Sequence, residues 1–317
     1  MGELRFDGQV AIVTGAGGSA NLGRSHARLL AARGAKVVVN DLGVGPNGRS
    51  THPASAQAVA DEIVAAGGEA IASLDSVAEE AGAAAIVQAA LDRWGRVDIL
   101  INNAGVGLNA GFDVVTSRDI TRVINVHLMG SIWMCRAAWP HMLAAGYGRI
   151  VNTVSGAMFG MSGTTIYGAA KFGIYGLTRG LAVEGADHNI RVNALSPGAA
   201  TNSMGHGLVF KDPAMTRMFI ERFPPDLVSP AVGYLAHADC AVTGALVHAG
   251  GGEVSARLIT ATEGVTIPDL SIEDVRDNLG VIFDQSAMSV VTDPYSAKGG
   301  GNNPVADSMV AAPYEPG

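Results

Sequence analysis

Short aliphatic runs recur along the chain, and between them the apolar positions fall at helical spacing. Gln9–Val13, Lys36–Asn40, Ala70–Leu74, Val97–Ile101, Arg149–Thr153, Ile190–Leu195 and Ala245–His248 read as seven strands. Most are continuous rather than alternating, as expected of strands covered on both faces. Between the second and third, Ala56, Val59, Ala60, Ile63 and Val64 share one helical face, and Gly67 and Gly68 end that helix. Gly34 likewise closes a helix that begins near Leu22. Strand–helix alternation of this kind predicts an α/β fold: one doubly wound domain around a seven-stranded parallel sheet.

Two segments depart from the pattern. Residues 199–226 interrupt the last crossover with Met204, Leu208, Phe210, Met215, Met218, Phe219 and Phe223, which suits either a packed helical pair or an apolar substrate lid. The segment follows a strand's carboxyl end, where open α/β sheets bind ligands. The domain is expected to cover residues 1–257, and 258–317 to form a C-terminal extension. Within it SIED, residues 271–274, predicts a capping box. From about Ser286, glycine, proline and small polar residues read as a loosely ordered tail.

Composition narrows the class. Of 317 residues 48% are hydrophobic, enough for a large core, and no apolar run reaches the roughly 18 residues that span a bilayer. The N-terminus enters a strand pattern at once, leaving no room for a signal peptide. Cys135 and Cys240 are too few and too far apart for a disulfide framework or metal site. A cytoplasmic protein without metal is expected. A formal charge of −8 argues against a nucleic-acid partner.

The candidate chemistry begins at VTGAGGSANLG, residues 13–23, whose glycines Gly15, Gly17, Gly18 and Gly23 lie between the first strand and first helix. Backbone N–H groups and the helix dipole would hold a pyrophosphate there, with Ser19 or Asn21 adding a side-chain bond. VVVND places Asp41 at the end of the second strand, where a carboxylate bonds ribose hydroxyls and repels a 2′-phosphate, favouring NAD over NADP. In YGAAK, residues 167–171, Tyr167 and Lys171 share a helix face, and the small residues between them leave room for a ligand. A lysine cation about 4 Å from the phenol would contribute roughly 4 kcal/mol at an effective dielectric of about 20, lowering the tyrosine pKa. Alone such a pair is an ordinary exposed helix face. Ser155, twelve residues before Tyr167, follows the fifth strand and can reach the same sheet edge.

The set TG…G, NNAG (102–105), Ser155, YGAAK and SPG (196–198) resembles the short-chain dehydrogenase/reductases, from about residue 7 to 255. The resemblance implies a Rossmann-type fold and an oxidoreductase interconverting a secondary alcohol and a ketone. In that family the tyrosine is the acid/base, the lysine lowers its pKa and binds the nicotinamide ribose, and the serine orients the substrate. It further implies cofactor contacts at Gly15, Gly17, Ser19, Asn21, Leu22 and Gly23. Others follow at Asp41, Leu42, Asp75, Ser76, Asn103, Ala104, Gly105, Tyr167, Lys171, Pro197, Gly198 and Thr201. Asp75 would meet the adenine edge, and the PG loop the carboxamide.

Three departures stand out. The glycine loop is about two residues longer than usual, and the Ser–Tyr interval one residue shorter than in many members. In VINVHLMG, residues 123–130, the family's catalytic asparagine position holds His127. Its main-chain carbonyl survives, so a water relay to the lysine is retained; the imidazole is either part of that relay or a packed helix histidine. HLMGS, RAAWPHM and VVVNDLG resemble the (3R)-hydroxyacyl-CoA dehydrogenase domain of peroxisomal multifunctional enzymes and bacterial relatives. The expected substrate is therefore a 3-hydroxyacyl-CoA thioester, with a hydroxysteroid or other bulky apolar alcohol as the alternative. A dinucleotide-binding sensor without turnover is the reading from another class. Family habit implies a homodimer or homotetramer and no membrane partner.

Overall fold

The computed structural model describes residues 2–18, 21–43, 55–201 and 212–291. It divides into two compact units, residues 1–256 and 257–317. The first is built on strands β1 (Val10–Thr14), β2 (Lys36–Asn40), β3 (Glu69–Ser73), β4 (Ile99–Asn102), β5 (Gly148–Thr153), β6 (Ile190–Gly198), β7 (Leu246–Gly250) and β8 (Glu253–Arg257). Their order is β3-β2-β1-β4-β5-β6-β7-β8. Neighbours from β3 to β7 pair in parallel. The sheet thus has one strand more than the seven expected. Gly251 and Gly252, with φ of 58° and 85°, make the two-residue loop that turns the chain from β7 into β8. Two successive positive φ values are what such a hairpin loop needs, and glycine adopts them without steric cost.

Helices cover both faces. They are α1 (Leu22–Ala32), α2 (Ser55–Ala65), α3 (Glu80–Trp94), α4 (Ser117–Ile124), α5 (Gly130–Ala145), α6 (Thr165–Glu184), α7 (Pro213–Arg222) and α8 (Ser229–Ala236). Residues of β1 alternate between two cores. Ala11 and Val13 pack with Ala27, Leu30, Val59, Ile63 and Leu235, whereas Val10 and Ile12 pack with Ile86, Met134, Met142 and Ile150. Burial on both faces explains why the strands read as unbroken aliphatic runs. Of the expected lid, α7 is described and carries Met215, Met218 and Phe219; Met204, Leu208 and Phe210 lie outside the described residues. Among the described residues no helix is long and apolar enough to cross a membrane.

In the second unit, β9 (Thr260–Thr262) pairs antiparallel with β10 (Met288–Val290), and α9 (Ile272–Asp277) and α10 (Leu279–Ile282) lie between them in sequence. Ser271 and Asp274 form the anticipated capping box. Strand β10 corrects the expectation of a loose tail from Ser286: its backbone is held by pairing that the three exposed or half-buried residues MSV do not announce.

The strand order reverses between β1 and β4, so the loops leaving these neighbouring strands diverge and leave a crevice at their carboxyl ends.

Candidate active site

Thr14 ends β1 and holds the two diverging loops together. Its hydroxyl accepts from Asn103 N–H at 3.0 Å and Ala104 N–H at 3.1 Å. Asn103 Nδ2 in turn donates to the carbonyls of Thr14 at 3.0 Å and Gly15 at 3.1 Å. Close approach also fixes the glycines: a Cβ on Gly15 would lie 2.7 Å from Ala104 Cα, and one on Gly23 would collide with the Gly15 carbonyl. Thr14 stands inside VTGAGGSANLG but is not among the contacts expected above; its position as the polar residue that ends a buried strand is the signal that marks it.

Asn21 caps α1, its Oδ1 accepting from Arg24 N–H at 2.7 Å while its Nδ2 donates to the Gly17 carbonyl. Its side chain therefore closes the long loop on itself, which is a different use from the cofactor bond expected of it. Ser19 lies outside the described residues. The N–H groups of Leu22 and Gly23 precede the capped turn, at the end of the helix that favours anions. Asp41 accepts from Gly17 N–H at 2.9 Å and Gly43 N–H at 2.7 Å, and stays only partly buried. Beside it the Leu42 side chain is exposed. Asp75 is exposed at the end of β3, its carbonyl accepting from Asn40 at 3.0 Å, and the Ser76 hydroxyl accepts from Ala78 N–H at 3.3 Å. At the far side, Pro197 and Gly198 pair with Ala249 and Gly250 as part of β6, and His248 Nδ1 donates to the Ser196 carbonyl at 2.8 Å. Thr201 follows, half-buried.

This edge fits a dinucleotide on its own chemistry. Gly17 brings the loop backbone so close to Asp41 that a Cβ would sit 2.8 Å from the aspartate Cβ. The α1 N-terminus with its N–H groups suits an anion, and the Asp41 carboxylate beside the loop suits hydroxyls.

Ser155, Tyr167, Lys171 and His127 converge on the same edge. Ser155 caps a single 3-10 turn, Gly156–Phe159, its oxygen accepting from Ala157 N–H at 3.2 Å. Its side chain interacts with Tyr167 and pulls the phenol pKa down, against burial, which is the larger effect and raises it. Lys171, buried one turn along α6, donates to the Thr153 carbonyl at 2.6 Å and lies 5.7 Å from the Tyr167 ring centre. Burial depresses its pKa to about 7. The pair thus differs from the sequence expectation. The ammonium is turned toward β5, and Ser155, rather than the lysine charge, is what favours the phenolate. Nor is the gap between them ligand space. A Cβ on Gly168 would meet the Ala157 carbonyl at 2.8 Å, so the small residue lets α6 close on the turn after Ser155.

Between α4 and α5 the helix widens into one π turn, Asn125–Met129, a feature common at functional sites. It carries His127 inward, 3% exposed, its ring edge-on to Tyr167 with centres 5.1 Å apart. Ser131 Oγ donates to the His127 carbonyl at 2.8 Å. The imidazole Nε2 lies 2.9 Å from the Val106 carbonyl and 3.1 Å from the Val106 N–H. Burial, helped by the Lys171 and Arg122 charges, lowers its pKa to about 3, so the ring is neutral.

The match of the short chain dehydrogenase family model to residues 9–210 agrees with this arrangement. The chain belongs to that family. It is 41% identical over 276 residues to peroxisomal multifunctional enzyme A of Dictyostelium discoideum, covering 87% of this chain and 60% of that one. It is 39% identical to a short-chain type dehydrogenase/reductase of Mycobacterium tuberculosis, covering 89% of this chain and 96% of the relative. Among solved structures, a 7α-hydroxysteroid dehydrogenase complexed with NADH and 7-oxo glycochenodeoxycholic acid superposes with a TM-score of 0.69 at 29% identity, over 78% of this chain and 95% of that one. The chain thus spans a little under two thirds of the Dictyostelium relative and is related to the multifunctional-enzyme branch that its motifs resemble.

Proposed function

We propose that the chain oxidises a secondary alcohol, or reduces the ketone, with NAD(H), using Tyr167 as acid/base. The convergence of Ser155 and Lys171 on Tyr167 at one sheet edge carries this reading. A nicotinamide, when bound, supplies the hydride acceptor or donor. In oxidation the Tyr167 phenolate takes the hydroxyl proton, and Ser155 holds the same oxygen as its charge develops. Gly15, Gly17, Leu22 and Gly23 would hold the pyrophosphate, Asp41 and Leu42 the adenosine ribose, Asp75 and Ser76 the adenine edge. Asn103 to Gly105, Lys171, Pro197, Gly198 and Thr201 would line the nicotinamide half. Asp41 supports NAD over NADP, since its carboxylate is already fixed by two N–H groups facing the ribose end.

The substrate we favour is a 3-hydroxyacyl-CoA. Support comes from the relation to multifunctional enzymes and from the loops flanking Ser155 and Tyr167. Ala110 N–H donates to the Gly163 carbonyl at 2.9 Å, joining the loop after β4 to the one before α6. These joined loops expose Phe112, Val114, Phe159 and Met161, an apolar rim suited to an acyl chain. The same rim, and the likeness to a hydroxysteroid dehydrogenase, support a sterol alcohol as the second reading. Following NADH absorbance with acetoacetyl-CoA and with a 17-ketosteroid separates them. Turnover of the thioester alone supports the first, and turnover of the steroid alone overturns it. The Tyr167→Phe variant should lose nearly all turnover while binding NADH. We place the enzyme in the cytoplasm as a homodimer or homotetramer, to be checked by fractionation and light scattering.

A further inference from the structure

Gly105 is a glycine for reasons of space alone. Its φ is outside the left-handed region, so an alanine would meet no backbone strain there. Yet a Cβ would lie 2.5 Å from Cε1, 3.2 Å from Nδ1 and 3.5 Å from Nε2 of one ring, that of His127. The imidazole occupies the volume a side chain at 105 would need. From that position it reaches Val106, the next residue of the loop, and stands edge-on to Tyr167.

We propose that His127 is the positioning residue of this site: an uncharged Nε2–H ring, keyed against Gly105, that ties the nicotinamide-side loop to the helix and sets the Tyr167 ring. The inference rests on the oxidoreductase reading above. Its tautomer follows from the contacts. If Nδ1 carried the proton, a fully buried N–H would be left without a partner, since Nδ1 has none. With the proton on Nε2, that nitrogen donates to the Val106 carbonyl at 2.9 Å, the shorter of its two contacts with Val106, giving up the 3.1 Å bond from Val106 N–H, and Nδ1 retains only a lone pair. Arg122, on the same helix run, donates to the next carbonyl, Gly107, at 3.3 Å, so two successive loop residues are held from below. The charged and titratable groups facing the ring are Lys171, Arg122 and Tyr167, and none is a carboxylate that would favour an imidazolium. The ring therefore carries no proton to or from the substrate; it acts through the tyrosine and the loop.

The test is a double-mutant cycle. Gly105→Ala alone should lower kcat about a hundredfold, the order expected of a displacement near 1 Å. In a His127→Ala background the added methyl should change kcat by less than about threefold, because its space is free. His127→Gln, which can still donate to Val106, should retain more kcat than His127→Leu, and the apparent pKa of kcat/KM should move in Leu but not in Gln. Equal cost of Gly105→Ala in both backgrounds, or no cost in the wild type, overturns the proposal. Histidine 15N spectra of the wild type give an arm that needs no variant to fold. A neutral Nε2–H ring unchanged from pH 5 to 9 supports it, and a ring that titrates in that range, or is protonated on Nδ1, overturns it. If the wild type turned over no alcohol, the oxidoreductase reading would fall. The spectra, and the same cycle read in melting temperature, would still decide the Gly105–His127 fit.

Discussion

The Lys171 ammonium is buried and donates to the Thr153 carbonyl at 2.6 Å, and among the described residues no nearby carboxylate offsets the desolvation that lowers its pKa to about 7. Burying such a cation costs stability. Below pH 7 both folded and unfolded chains carry the proton, so the full cost of the buried charge is present. As pH rises from 7 toward 10.5 the folded chain alone has lost it, and that cost recedes.

Lys171→Met should accordingly stabilise the nucleotide-free protein by on the order of 1–2 kcal/mol near pH 6. It should lower kcat at least about a hundredfold. Urea midpoints and initial rates on the same preparation check both. A variant less stable than the wild type would show that the ammonium is well solvated or paired.

The Ser155–Tyr167 interaction makes a second prediction with a sign. It lowers the phenol pKa, opposing burial. Ser155→Ala removes the donor, so the ionisation governing kcat/KM for alcohol oxidation should shift to higher pH. Turnover at neutral pH should fall on the order of a hundredfold. The pH profile of wild type and variant decides it, and a shift downward would mean that the serine accepts from a neutral tyrosine instead.

Much of this edge is legible in the amino-acid sequence. The parallel strands announce themselves because each is buried on both faces, as Ile99 to Ile101 of β4 are, leaving unbroken aliphatic runs. Strand β8 does not, because Glu253–Arg257 is largely exposed and its residues need no apolar pattern. Ser155, Tyr167 and Lys171 are identifiable from spacing, but the direction in which Lys171 points depends on a carbonyl of β5, which no spacing reveals. The π turn at His127 has no sequence signature at all, since NVHLM continues the helical pattern on either side. The glycines are readable as close approaches; what they approach, Ala104 for Gly15 and His127 for Gly105, depends on how the loops pack.

Asp41 joins loop order to cofactor choice. Its carboxylate accepts from Gly17 and Gly43 N–H, so Asp41→Ala both removes the repulsion of a 2′-phosphate and frees two donors. The NAD-to-NADP ratio of kcat/KM should fall at least about tenfold, with each lost bond costing the fold roughly 1 kcal/mol. Titrations with NADH and NADPH, set beside thermal melts, separate the two effects. A wild type that binds NADPH more tightly than NADH would overturn the role given to the aspartate.

Two buried histidines set the acid limit of the fold. His26 Nδ1 meets Ser229 Oγ at 2.8 Å, joining α1 to α8, and burial lowers its pKa to about 3 despite the favourable charge of Asp226. His127 is lowered to about 3 for the same first cause, with Lys171 and Arg122 adding to it. In the unfolded chain both return to the ordinary value near 6.5 and bind protons that the folded chain refuses. The contribution of the two histidines is therefore level above about pH 7 and falls as pH drops below 6.5, by on the order of 1 kcal/mol for each at pH 5.5. Urea midpoints at pH 7.5 and 5.5 measure the loss, to which the returning Lys171 charge adds, and His26→Gln should shrink it by roughly a third while leaving Tyr167 and its neighbours untouched. An unchanged midpoint across that interval would mean that one or both rings accept a proton without unfolding, through a rearrangement at the α1–α8 contact or at Val106.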